Sequence, residues 1–187
     1  MLYRLLDKQI LYAGKKIRLE VHRLEDAEHN TITSREVVVH NGAVVILPFL
    51  DENQICLIKN WRYSIGQTLV ELPAGTLEKG EDPINCAGRE LQEETGYLAH
   101  RIKPIASFFS SPGVLTEKLY AFAAYDLKKS RTALEEDEQI EIMPVQFDEA
   151  IDMVRTGQIM DAKTIATLLL FDKFHRAPKD NIGKTNV

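Results

Sequence analysis

The sequence predicts a mixed α/β (α+β) protein, and three observations predict it. Apolar residues recur at every second position or in short unbroken runs through the first third, the pattern of strands. Three later segments pair a capping residue with apolar residues three and four apart, the pattern of helices. Between them stand further apolar runs, so strands and helices interleave.

The elements follow in order. In KIRLEVHRL, Ile17, Leu19 and Val21 alternate with charged residues, as in a half-exposed strand. AEHNTITS is turn-rich, and REVVVH resumes the β pattern. GAVVILPFL is an unbroken apolar run that fits a buried strand. DENQ makes a polar turn into the next strand, ICLIKNWRY. In DPINCAGRELQEETG, Asp82 caps a helix, Pro83 takes its first position and Gly96 stops it. Ile84, Ala87 and Leu91 are expected to share its inward face. IASFF and KLYAFAAYDL read as strands, followed by a polar loop, KKSRTALEEDEQ, and a strand, IEIMPV. FDEAIDMVRTGQ reads as a short helix capped by Asp148 and ended by Gly157. DAKTIATLLLFDKFHR starts at Asp161 and turns Ile165, Leu168, Leu169 and Phe171 toward a core. The organisation expected is a small antiparallel sheet over 1–45, one α/β domain over 46–176, and a polar, flexible tail over 177–187. The open edge of the first sheet favours dimerisation.

Bulk properties bound the function. A chain of 187 residues, 44% hydrophobic and 27% charged, buries one proper core. Its net charge of −5 argues against a general nucleic-acid binder, which needs a basic surplus to displace counterions. Two cysteines, Cys56 and Cys86, suit a reducing compartment. The start, MLYRLLDKQILYAGKKIRLEV, has no sustained apolar run and reads as no signal peptide, and no stretch reaches the ~18 apolar residues of a membrane span. The expectation is a cytoplasmic protein with no membrane partner.

The chemistry is concentrated in GTLEKGEDPINCAGRELQEETGY, residues 75–97. Glu90, Glu93 and Glu94 lie three and four apart and occupy one side of the helix. Two unit charges ~4 Å apart cost ~1 kcal/mol in water but ~4 kcal/mol at the effective dielectric near a protein surface. Crowding therefore grows costlier as the site is shielded, unless a cation sits among the carboxylates. Mg2+ binds one or two carboxylates together with substrate phosphates. Alone, a Glu-rich face with Arg89 as its ion-pair partner would read as a solvated surface.

Its surroundings decide otherwise. Gly75, Glu81, Arg89-Glu90, Glu93-Glu94 and Gly96, with Leu91 in the apolar position between, resemble the Nudix box at every fixed residue and spacing. Tyr97 stands where an aliphatic residue is more usual. The resemblance implies a Nudix α/β/α sandwich with a mixed sheet, which hydrolyses a nucleoside diphosphate linked to another group. It implies Glu90 and Glu94 as metal ligands, Glu93 as a further ligand or a water-orienting group, and Ala74 as a main-chain ligand. Arg89 and Glu81 become a structural ion pair. The cofactor implied is Mg2+, two or three ions per site, with Mn2+ as a substitute.

The flanks resemble the ADP-ribose and ADP-sugar pyrophosphatase branch, from about Arg35 to Phe174. In WRYSIGQTLVELPAG, the likeness implies Arg62 as a contact to the substrate's phosphates or terminal ribose, and Glu71 as a residue holding the nucleotide or the loop. SSPG implies that Ser111, Pro112 and Gly113 shape a loop over the terminal sugar. In EEDEQIEI, Glu138 matches the loop glutamate that orients or deprotonates water, with Glu136 in reserve. Arg35 is expected to reach the substrate of the partner in a homodimer. Several relatives stack the adenine on an aromatic of the N-terminal sheet; the single tryptophan here is Trp61, and the early sheet offers Tyr12 and Phe49. The substrate expected is a small-molecule nucleoside diphosphate sugar: ADP-ribose first, GDP-mannose as the nearest competitor. An ADP-ribose sensor without turnover is the non-enzymatic alternative.

Overall fold

The computed structural model describes residues 3–132 and 139–176. Three antiparallel strands come first, β1 (Tyr3–Ala13), β2 (Arg18–Asp26) and β3 (Thr31–Val39), in the order β1-β2-β3. The turn-rich stretch after β2 is shorter than its composition suggests. Asp26 Oδ1 accepts the N–H groups of Glu28 and His29 and closes the turn, and Asn30 takes a positive φ of 50°. Thr31 to Ser34 then join β3, where their β-branched neighbours favour extended backbone.

Two further sheets form the body. A mixed sheet runs in the order β7 (Ala74–Thr76), β4 (Ala43–Pro48), β9 (Lys118–Lys129), β8 (Tyr97–Phe109), with β4 parallel to β9. A second, antiparallel sheet runs β10 (Ile140–Gln146), β5 (Gln54–Arg62), β6 (Gln67–Glu71). The unbroken apolar run of β4 has a simple cause: both its faces are covered. Val45 and Leu47 enter a core shared with Ile55 and Leu57 of β5 and with α2 (Phe147–Arg155) and α3 (Ala162–Phe174). Val44 and Ile46 enter the other core, against Cys86, Ala87 and Leu91 of α1 (Pro83–Thr95). The expected mixed-sheet sandwich is what folds. Among the described residues, no helix is long and apolar enough to cross a membrane.

The helix ends test the capping expectations. Asp82 accepts from Ile84 N at 2.9 Å, and Gly96 closes α1 at φ 69°. Asp161 accepts from Thr164 N and starts α3. At α2 the N-cap is Gln146, with no side-chain cap; Asp148 lies in the first turn, one helical position past Phe147. Phe147 is needed in the core, and this draws the helix start upstream. Two expected core residues face outward instead. Ile84 is exposed because Cys86 and Ala87 take the inward arc of α1, and Leu169 is exposed beside buried Leu168.

The N-terminal sheet is tied to the body by a loop. Val38 donates to Val114 O, Thr116 donates to Val38 O, and His40 donates to Thr116 Oγ1 at 2.9 Å. The loop between β8 and β9 thus extends the edge of β3.

Candidate active site

The site forms where α1 crosses β7. The tripeptide Ala74–Thr76 is a strand paired with β4 in the register Val45↔Ala74 and Val44↔Gly75. Its main chain is therefore held by the sheet. Glu94 is buried and accepts from Ala74 N at 2.9 Å, and Glu90 presses on Gly75 so closely that a Cβ there would stand 1.8 Å from its carboxyl carbon. Glycine is required at this point by contact, not by backbone conformation.

Arg89 holds the rest of the helix face together. It donates to both oxygens of Glu81, at 3.0 and 3.1 Å, to Glu90 at 2.8 Å and to Glu93 at 2.9 Å. The guanidinium holds the Glu81 carboxyl down at about 2, and its own pKa is raised, first by Glu81 and then by Glu90. Burial pushes the neighbouring Cys86 thiol up to about 12, so it is no nucleophile.

Glu90, Glu93, Glu94, Ala74 and Arg62 all line one cavity of 300 Å³. Among the described residues, no three His, Cys, Asp or Glu side chains converge as a ready-made metal cage. Arg89 Nη1 spans Glu90 and Glu93 and offsets their repulsion directly. The donor set is nonetheless oxygen only, and hard divalent cations need only one or two carboxylates when water and substrate phosphate complete the shell. The residues fit such an ion.

A second cavity of 440 Å³ adjoins the first and shares Arg62, Ala74, Gly75 and Thr76 with it. Phe108, Phe109, Leu119 and Ala166 give it apolar wall; Ser110, Glu117, Asp161 and Lys163 give it polar groups. At the junction, fully buried Glu71 accepts from Arg62 Nε at 2.7 Å and Nη2 at 2.5 Å, and from Lys163 Nζ at 2.5 Å. The Arg62 pKa is raised, chiefly by this pairing. Glu71 thus lies beneath the cavities, holding two cations side by side.

Other expected residues fall elsewhere. Ser111, Pro112 and Gly113 are exposed in the β8–β9 loop, and their neighbour Ser110 is the one that lines the larger cavity. Arg35 is exposed on β3, donating to Thr33 Oγ1 and Ser34 O, and lines neither cavity. Phe49 stacks on Tyr125 at 5.2 Å within the core, so it offers no face to a base in this site. Glu136 and Glu138 lie outside the described residues. Lys15, Lys16, Asn41, Glu117 and Lys163 line the cavities without being expected there from sequence, and Asp161, expected only as a helix start, lines the larger one. DAKT carried a usable signal for Lys163, since a lysine two residues past a helix cap faces the same end of the helix as the cap.

Comparison with known proteins bears on the family and the fold. A model of the NUDIX domain matches residues 39–168. The chain is 40% identical to an ADP-ribose pyrophosphatase of Bacillus subtilis (strain 168), covering 84% of this chain and 85% of that one. It is 37% identical to a methanol dehydrogenase activator of Bacillus methanolicus, over 83% and 84%. It is 36% identical to a GDP-mannose pyrophosphatase of Yersinia pestis (strain Pestoides F), over 74% and 73%. Among solved structures, the fold matches an ADP compounds hydrolase with a TM-score of 0.82 at 20% identity, over 92% and 93%.

Proposed function

This chain belongs to the Nudix family and is a Nudix hydrolase, and from that premise we propose that it cleaves ADP-ribose with water to AMP and ribose 5-phosphate. One juxtaposition carries the reading. Glu90 and Glu94 meet the main chain of Ala74 and Gly75 in a cavity that opens past Arg62 into a second, larger one. A diphosphate flanked by a bulky group needs that pair of spaces. In the reaction, the water oxygen bonds to one phosphorus, the anhydride P–O bond breaks, and two phosphomonoesters leave.

Nudix hydrolases generally need divalent metal ions; Mg2+ (two or three ions, with Mn2+ as a substitute) would supply charge to offset the diphosphate and to lower the pKa of a water. Glu90 and Glu94, with Glu93 and the Ala74 carbonyl, would hold that cofactor. Arg62 contacts the diphosphate or terminal ribose, and Glu71 orients Arg62 from below. The segment Ser111-Pro112-Gly113 borders the terminal sugar next to Ser110. Glu138 orients the attacking water, with Glu136 in reserve. The protein works as a cytoplasmic homodimer through its first sheet, a reading supported by exposed Leu5, Ile10, Leu11, Tyr12 and Ile32 there. Arg35 then reaches the partner's substrate.

GDP-mannose stays as a second reading, because a relative named a GDP-mannose pyrophosphatase is 36% identical and Trp61, the single tryptophan, lines neither cavity. The test is a panel of ADP-ribose, ADP-glucose, GDP-mannose and 8-oxo-dGTP with Mg2+, following products by chromatography. ADP-ribose is expected to give the highest kcat/KM, and Glu94→Gln to abolish turnover while folding normally. Binding of ADP-ribose without turnover of any diphosphate sugar would establish a sensor instead.

A further inference from the structure

Four cationic side chains line the carboxylate cavity: Lys15, Lys16, Arg62 and Arg89. Two of them are committed. Arg89 is divided among Glu81, Glu90 and Glu93, and Arg62 gives Nε and Nη2 to Glu71. Among the described residues, the ammonium groups of Lys15 and Lys16 have no hydrogen-bond or ion-pair partner, and both side chains are exposed. Four glutamates, Glu78, Glu90, Glu93 and Glu94, share the lining with them.

The lysines come from an unexpected layer. They form the tip of the four-residue connection between β1 and β2, closed by Gly14 N–H donating to Ile17 O at 2.9 Å. Gly14 lets the Tyr12 ring fold back beside the turn, since a Cβ there would meet Tyr12 at 2.7 Å. A turn this short fixes both Cα atoms at the cavity rim, while two four-carbon stems leave the charges free to reach inward. An anionic diphosphate approaching a wall of glutamates needs cations that are not already paired. In ~0.15 M salt the screening length is ~8 Å, so exposed ammonium groups act by contact and not at a distance.

We propose that Lys15 and Lys16 are substrate-binding residues that grip the diphosphate from the N-terminal sheet's side of the cavity. The inference rests on the hydrolase reading above and adds a function to the first sheet besides association.

The test uses the full-length protein, the substrate it turns over best in the panel, and the double variants Lys15→Ala/Lys16→Ala and Lys15→Arg/Lys16→Arg. The alanine variant is expected to raise KM, and the inhibition constant of ADP, about tenfold, roughly what two weakened charge-assisted contacts predict. Its kcat should stay within about threefold, because the carboxylates are untouched. The arginine variant should restore both constants, and the inhibition constant of uncharged adenosine should not move. Raising salt should weaken ADP binding to the wild type more steeply than to the alanine variant. An alanine variant with wild-type KM and ADP inhibition overturns the proposal and leaves the hydrolase reading standing. Equal weakening of adenosine and ADP, or no rescue by arginine, also overturns it, by assigning the turn a structural role. A wild type that neither binds nor cleaves any member of the panel overturns both.

Discussion

Gly75→Ala separates assembly of the site from assembly of the fold. The added Cβ would stand 1.8 Å from the Glu90 carboxyl carbon and 2.1 and 2.2 Å from its oxygens. The Gly75 backbone is not in the left-handed region, so β7 accepts alanine and keeps its register on β4. What yields is the far end of Glu90, which must retreat by about 1.6 Å to regain an ordinary 3.4 Å contact. The stability lost is then the partly exposed Arg89–Glu90 pair, about 1 kcal/mol at most, or ~2–4 °C in Tm for a domain of this size. The catalytic loss is larger, since misplacing a reacting or ligating group by about 1 Å costs ~10²-fold. Steady-state hydrolysis of ADP-ribose with Mg2+, alongside thermal melting, reads both quantities on one preparation. A variant with kcat within about threefold of wild type would refute the placement of Glu90 in the site. A variant that fails to fold would move the requirement for glycine from the site to the sheet.

Two further perturbations probe the supports of the site. Glu71→Gln keeps the shape of a fully buried side chain but leaves Arg62 and Lys163 facing each other without their shared anion. Breaking that arrangement is expected to destabilise the protein by about 3 kcal/mol and to raise KM, read by urea denaturation and kinetics; unchanged stability would refute Glu71 as the common anchor. Glu81 tests the acid limb of stability. Its folded pKa of about 2 lies below the ordinary 4.5, so its contribution is complete above 4.5 and is lost as pH falls from there toward 2. Urea midpoints measured at about pH 6 and about pH 3 should fall less between the two for Glu81→Gln than for wild type, and an equal fall would refute the Arg89–Glu81 brace.

Legibility in the sequence followed the range of the interactions. The caps at Asp82, Gly96 and Asp161 are made within four residues, and local chemistry predicts them. The start of α2 departs from the local pattern because the demand for Phe147 comes from the core formed with Phe49 and Phe171, far away in the chain. Ile84 and Leu169 were misassigned for the same reason: helical spacing defines a face, but only the neighbouring layer decides which edge of that face is covered. The carboxylates of α1 were legible because one helix carries them all at fixed spacing. Lys15 and Lys16 were not, since Lys16 and Glu90 stand 74 positions apart and nothing in AGKKIR distinguishes a turn at a rim from a turn in water.

Small residues at PAG suggest a turn that lets main chain approach an ion. The strand that forms there makes a stronger argument for the same contact. Ile46 N–H donates to Pro73 O and Leu77 N–H donates to Gly42 O, so the segment is bonded to β4 at both ends. On the other side, Glu94 takes the Ala74 N–H that points away from the sheet's interior. The Ala74 carbonyl is therefore fixed from two directions, by a central strand and by a buried helix residue. Carboxylates on a helix alone could shift with every rotamer; tied to a strand that is itself tied to the core, they keep their spacing when the charge of a diphosphate arrives. On the proposed reading, that rigidity lets a like-charged cluster hold a cation for the diphosphate, because the cost of crowding is met in folding and not again at each turnover.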